Sequence, residues 1–461
     1  MSGRCRHDAP VTEPTTTAPQ GHWDRSVKAL LLSVFCASSA AFAGVTALGI
    51  QVFDLTGREI DLGLLGLAEF APALLLVLVT GSVADRFDRR RVTAIGALAE
   101  AAVAVVLAWY AASNPTAVAP IFVLVVLFGT ARAFVAPTSR SLPADLMAPE
   151  DLPWLVARHS ATWQLAIIFG PVLGGTLYAI DPALPYVAMA VLLLTAAISV
   201  SLVRVRPDLH RPVSEAAEAQ DTLLRGAPLL DEPVDAAAVE ALEAPAGTAV
   251  VAPARVGHEA LEGLRFIRRT PILLGAISLD LFAVLFGGAI ALLPALAEQR
   301  LGVGPVGLGW LRAAGGIGAG AVTLRLTRHP LTRHVGRILL VVVALFGVGT
   351  MVLGATTSYA VAFVAMLVLS GADAISVFIR ATLVPLVTPR DKRGRVLAVE
   401  NVFIGGSNEL GAFESGVAGQ FLGAGGAVVL GGAATVLISA GWWVFFPALR
   451  NVDSFPSRAE D

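Results

Sequence analysis

Largely apolar runs of 19 to 27 residues, separated by charged or Gly/Pro-rich breaks, recur along almost the whole chain. A hydrocarbon core about 30 Å thick needs roughly 20 helical residues per crossing. Breaks at charges and at Pro or Gly clusters predict spans near 27–53, 61–83, 92–110, 118–139, 155–179 and 184–203. Six more are predicted near 271–297, 306–326, 335–353, 357–381, 395–421 and 424–446. The stretch Leu62 to Thr80 is typical, with Glu69 as its only ionisable side chain, and it ends in six charges over the eight positions 85–92.

The polar pieces between these runs organise the chain. Residues 1–26 are rich in Pro and Thr and have no apolar period, so a disordered tail is expected. Residues 27–203 form one set of six spans and 271–446 a second, with 204–270 as linker and 447–461 as a short polar tail. Within the linker, GHEALEGLRFIRRT (257–270) reads as an interfacial helix, with Leu261, Leu264 and Ile267 on one face and Arg265, Arg268 and Arg269 on the other. An internal repeat supports the division, because Gly129 and Pro143 align with Gly371 and Pro385 at a constant separation of 242. Weak symmetry of this kind suits two bundles rocking about a central cavity.

Composition agrees. At 56% hydrophobic and 15% charged residues, the chain lies well below the roughly 25% charged of a soluble domain. The basic residues concentrate in alternate loops: Arg86, Arg89, Arg90 and Arg91; Arg328 and Arg333; Arg390, Lys392, Arg393 and Arg395. The positive-inside rule then places both termini and the linker in the cytoplasm, as expected of a multi-pass plasma membrane protein. These basic clusters hug membrane edges and give no sign of nucleic-acid binding. Two cysteines, Cys5 and Cys36, say nothing of redox compartment.

Ionisable residues inside the spans are the candidate chemistry, since each costs several kcal/mol unless paired or hydrated (about 2.5–3.5 for a central Asp or Arg). Glu69, Glu100 and Arg132 lie in spans two to four, Asp280 in seven, Arg312 in eight, Asp373 and Arg380 in ten, and Glu400, Glu409 and Glu414 in eleven. At 100° per residue Glu400, Ser407 and Glu414 form one stripe that can face a cavity, flanked by Asn401 and Asn408, with Glu409 opposite and in need of a protein partner. Asp373 and Arg380 share a face but stand about 10 Å apart, so each should meet another helix. Glu69, Asp373 and then Glu400 are the first candidates for a proton-coupling acid, because Glu69 and Asp373 have no basic residue one turn away in their own helices. Static interhelical ion pairs are the competing role. His159 suits an interface position, and His329 and His334 lack partners at metal-ligand spacing, so no metal site is indicated. No cofactor motif is present; GVGPVGLGW and RAAGGIGAG lack the G-x-x-x-x-G-K-[ST] pattern, which leaves an ion gradient as the energy source.

GSVADRFDRR (81–90) resembles the Gly-x-x-x-Asp-Arg-x-x-Arg-Arg loop of the major facilitator superfamily. Residues 52–92, ARAFVAPTSRSLPADL (131–146), FGPVLGGTLYA (169–179) and FIGGSNELGAFESGVAG (403–419) are similar to its enterobactin exporter and macrolide efflux branch. The resemblance implies an all-α membrane protein of two six-helix bundles with inverted repeats around a central cavity. It implies a cytoplasmic gate of Gly81, Asp85, Arg86, Arg89 and Arg90, with Gly81 allowing close backbone approach. The second-half loop, LRLTRHPLTRHVGR (324–337), has no matching Asp. Gly170, Pro171, Gly174 and Gly175 match the Gly-Pro-x-x-Gly pattern of antiporters in span five, where small residues permit tight packing and Pro permits bending. The implied activity is proton-coupled efflux of a small amphipathic compound, siderophore or drug-like, by a protein working as a monomer in the bilayer. The alternatives are a facilitator of lysophospholipid or another lipid-like solute and, from a different class, a non-transporting sensor or membrane enzyme. No nucleophile and base constellation supports the enzyme.

Overall fold

The computed structural model describes residues 23–148, 151–204 and 253–456. The expected tail and most of the linker lie outside these residues. Everything described is helix, turn or loop, with no strand among the described residues.

The first half holds α1 (Arg25–Thr56), α2 (Glu59–Arg86), α3 (Arg89–Ala112), α4 (Ala119–Ser141), α5 (Leu152–Tyr178) and α6 (Leu184–Ser201). Their ends follow local chemistry. Asp24 caps the first amide of α1, Gly57 closes it in the left-handed conformation at φ 61°, and Asp88 caps α3. Helix α1 packs on α5 and α6, α3 on α4 and α6, and α2 on α4. Gly129 sets the last of these contacts, since a Cβ there would collide with the carbonyl of Glu69.

The second half opens with α7 (Pro253–Arg269) and continues through α8 (Pro271–Phe286), a 3-10 turn (Ala289–Leu292), α9 (Leu293–Gln299), α10 (Pro305–Arg328), α11 (Val335–Ala355), α12 (Tyr359–Val387), α13 (Arg390–Phe445) and α14 (Pro447–Arg450). Helix α7, at the expected interfacial segment, buries Ile267 and ties Glu262 to Arg395 of α13 at 2.6 Å, whereas Leu261 is exposed.

Ten helices among the described residues are long and apolar enough to cross a membrane. Two features relate this number to the twelve expected spans. Helix α13 is a 56-residue helix broken at Gly423 (φ 71°, ψ 157°), where the sequence places the boundary between its last two spans. Helix α10 has six glycines and three arginines, which lower its hydropathy while it packs against α5 and α12. The expected single span 271–297 is interrupted. Gly287 and Gly288 end α8, and a Cβ at Gly288 would meet the carbonyl of Gly411 at 2.7 Å. The chain end is also less free than expected. Leu449 is fully buried, and the amides of Val335 and Gly336 donate to the carbonyls of Asp453 and Val452.

The halves meet along two seams, α2 with α13 and α5 with α10. The first is close where Gly63 meets Ala412 and Phe413 and Gly416 meets Glu59; the second where Gly175 meets Pro305 and Gly309 meets Pro171. All these residues lie toward the bundle end away from the chain termini. At the other end, nothing lies within 4 Å of a Cβ built on Gly81 or Gly394. The halves are therefore in close backbone contact at one end, and no such close approach is seen at Gly81.

Candidate functional site

Two ionic networks occupy the interior. In the first, the tight contact at Gly129 brings α4 against α2, and Arg132 one turn on reaches Glu69, Nε to Oε1 at 4.0 Å. Glu100 of α3 sits behind the pair, 2% exposed, with its Oε1 buried and lacking a hydrogen-bond partner, in the field of both Arg132 and Glu69. The fourth member comes from the other half. Glu409 of α13 lies against Gly66, where its Oε2 would stand 2.9 Å from an added Cβ, and it feels the charge of Glu69.

The second network repeats this composition. Arg380 of α12 pairs with Asp280 of α8, Nη2 to Oδ1 at 2.7 Å, with side chains only 6% and 8% exposed. The Arg380 Nε–H also points to Ser376 Oγ at 3.4 Å. Asp373, two turns away on α12, and buried Glu400 of α13 both feel Arg380 and Asp280.

Several expectations change with these positions. Glu69 has no basic residue one turn away in its own helix, and its basic neighbour is Arg132 on α4, a partner of the interhelical kind that same-helix spacing cannot reveal. Glu400 and Ser407 are buried, and Glu400 feels the charges of Arg380 and Asp280. Asn401 and Asn408 are exposed, and Asn408 donates back to the carbonyl of Ile404. Glu414 accepts a hydrogen bond from Ser415 beside it. Glu409, opposite Glu400 on the helix, does find protein behind it, in the first half.

The side chain of Asp85 lies outside the described residues. The arginines around it bind their own half: Arg89 donates to Asp145 at 2.8 Å, and Arg90 donates to Asp88 and to the carbonyl of Val203, each at 2.8 Å. Arg86 is exposed. The Arg90 side-chain hydrogen bond holds the Asp88 carboxyl below the usual carboxylate range. In α5, which runs unbroken through Pro171, Gly170 and Gly174 let α1 approach, while Gly175 faces α10.

Arg312 stands apart. It projects from α10 between the seam glycines Gly309 and Gly316, and its Nη2 lies 3.7 Å from a Cβ built on Gly49 of α1. Its Nε is buried without a hydrogen-bond partner.

A polar cluster at the closed end escaped the sequence reading. Tyr178 donates to Asp54 at 2.9 Å, Tyr186 donates to Gln51 at 2.6 Å, and Gln299 of the second half donates to Glu59 of the first at 3.0 Å. Glu298 feels the charge of Asp54. Asp54, Glu59 and Glu298 read as loop charges because they sit at span ends; Gln51 and Asp54 on one turn of α1 were the available signal.

The profile of the Major Facilitator Superfamily matches residues 30–412. Among solved structures, the chain is similar to the nucleoside transporter NupG at 12% identity and TM-score 0.64, over 90% of this chain and 98% of that one. It is similar to a bacterial homologue of the human lysosomal transporter Spinster, in an inward-facing and unoccupied conformation, at 13% identity and TM-score 0.63, over 92% and 95%. A D-xylose-proton symporter gives 15% identity and TM-score 0.64, over 92% and 98%. At these identities the likeness is one of fold. No curated protein sequence gives a significant match.

Proposed function

The chain belongs to the Major Facilitator Superfamily, and from that premise we propose that it is a secondary exporter of a small amphipathic compound, driven by inward proton flow. The observation that carries this reading is the position of Glu409, an acid of the second half standing in the ionic network of the first. In each network three carboxyl groups share one arginine, so full ionisation would leave a net charge of −2 around at least one buried acid, Glu100 in the first and Asp280 in the second. Uptake of a proton relieves that charge.

Rocking of the halves moves Glu409 relative to Glu69, Glu100 and Arg132, so proton occupancy and conformation are linked. Contact between the halves brings Glu409 up to Glu69, and the protonated network therefore favours the state described here. With the termini in the cytoplasm, as the positive-inside pattern supports, this state opens inward. A proton taken from outside brings the halves to it and leaves to the cytoplasm, and cargo binding then favours return. That order is antiport. The efflux-branch resemblance and the Gly-Pro-x-x-Gly pattern of α5 support the outward direction, and the gate region 81–90 is assigned the resetting step. The protein works as a monomer in the plasma membrane, with 27–203 and 271–446 as its moving bodies.

The test uses inside-out vesicles and a cargo found by comparing metabolites and drug accumulation in cells with and without the gene. An acid lumen should drive cargo uptake, and a protonophore should collapse it. Flux of a demonstrated cargo that ignores every imposed ion gradient would overturn proton coupling.

A further inference from the structure

We infer that Arg312 is an anion-binding group in the space between the halves, and that the compound this protein carries is an organic anion with an apolar body. The inference rests on the transporter reading for the word "carries", but the binding site stands on its own geometry. Of the three arginines deep in the helices among the described residues, Arg132 has Glu69 and Arg380 has Asp280. Among the described residues Arg312 has no ion pair and no hydrogen bond, and no carboxylate there contributes to its electrostatic surroundings.

It lies seven residues into α10 from Pro305, about 10 Å along the axis and inside the hydrocarbon region. An arginine at that depth is retained against a solvation penalty and serves a ligand or a pathway by default. Its neighbours say where the ligand goes. Gly309 abuts Pro171 of α5 and Gly316 abuts Ile167, so Arg312 stands between the two points where the halves touch. Its guanidinium reaches across to Gly49 of α1, with Pro294 of α9 alongside. The Nε edge is sealed, while the residue as a whole keeps partial exposure. The remaining N–H groups are thus available at the interface between repeats, where carriers of this architecture hold cargo.

The planar fork of a guanidinium matches a carboxylate, sulfonate or phosphate through two parallel hydrogen bonds. Gly49 and Pro294 beside it, and Pro171 and Ile167 at the contacts of Gly309 and Gly316, are apolar and bring no second charge. A small inorganic ion would leave that surface unused. An amphipathic anion uses both.

The experiment follows thermal unfolding of the purified full-length protein in detergent, titrated at constant ionic strength with 2-naphthoate, its neutral twin 2-naphthamide, and sulfate. Naphthoate should raise the midpoint saturably, and naphthamide should need at least about tenfold more for the same shift. Arg312→Gln should abolish the naphthoate response, and Arg312→Lys should keep a weaker one. Equal responses to acid and amide, a response to sulfate only, an unchanged response in R312Q, or no response to naphthoate would each overturn the assignment. If R312Q does not purify folded, wild type against R312K decides, because a point charge without the fork must shift the naphthoate titration. Binding is read here without a gradient, so its failure leaves proton coupling untouched, and loss of gradient-driven flux leaves anion binding untouched.

Discussion

Arg380 of α12 and Asp280 of α8 stand 2.7 Å apart in a setting that water barely reaches. The pair joins two helices of the second half, and Glu400 of α13 and Asp373 complete its surroundings. Asp280→Ala removes the direct partner of the buried guanidinium and leaves it only the more distant Asp373 and Glu400, and should destabilise the protein by about 3 kcal/mol. Asp280→Leu with Arg380→Met should restore most of that loss, because an apolar replacement has no desolvation penalty. Thermal unfolding of the single and double variants in detergent gives the coupling; additive losses would show that the two side chains act independently.

Glu100 is the buried acid whose Oε1 has no hydrogen-bond partner, and its place beside Arg132 and Glu69 makes it the group whose protonation the first network feels most. Glu100→Gln keeps the shape and removes the titration. Gradient-driven flux should fall at least about tenfold while downhill exchange stays within about twofold. Glu409→Gln should do the same if the two acids share one proton. Full proton-driven flux in both variants would move the coupling site to Asp373 or Glu400.

Gly175 faces the carbonyl of Pro305 and the backbone of Gly309 across the seam between the halves. Gly175→Ala forces the backbones apart, at a cost of about 1–3 kcal/mol for overpacking, and so shifts the balance away from the state closed at this end. Ala297, 2% exposed on α9, reports that closure. In a background lacking Cys5 and Cys36, Ala297→Cys should react slowly with a membrane-impermeant maleimide added outside, and several times faster when G175A is present. Equal rates would place the closing contact elsewhere.

Asp88 accepts hydrogen bonds from the Arg90 amide at 2.9 Å and from its guanidinium at 2.8 Å, and so caps α3. Its carboxyl titrates below the usual range in the folded protein because of Arg90. A depressed folded value means that the stabilisation is present in full above the ordinary aspartate value of about 3.9. It is lost as pH falls through the lower folded value. Asp88→Ala should weaken the start of α3 by about 0.5–2 kcal/mol, seen as faster amide exchange over residues 90–93. Asp88→Asn keeps the cap and should lose the acid dependence of that exchange.

The spans were legible in the sequence because hydropathy is a local property: a run of about 20 apolar residues must cross or be buried whatever surrounds it. The same is true of the acids and arginines inside the spans, whose presence alone marks function. Small residues on α5 announced tight packing, and Gly423 falls where the sequence already divides its last two spans. Which charge meets which could not be read this way. Same-helix spacing sees neighbours three or four residues away, whereas Glu69 finds Arg132 on α4, Asp280 finds Arg380 on α12, and Glu409 reaches the opposite half. Only the packing of helices distant in sequence made Glu69 a paired acid, left the Glu100 Oε1 without a partner, buried Glu400 and Ser407, and placed Arg312 between the halves. The same packing gathered Asp54, Tyr178, Glu59 and Gln299 at the closed end, since side chains at span ends become a site only when two half-bundles bring those ends together.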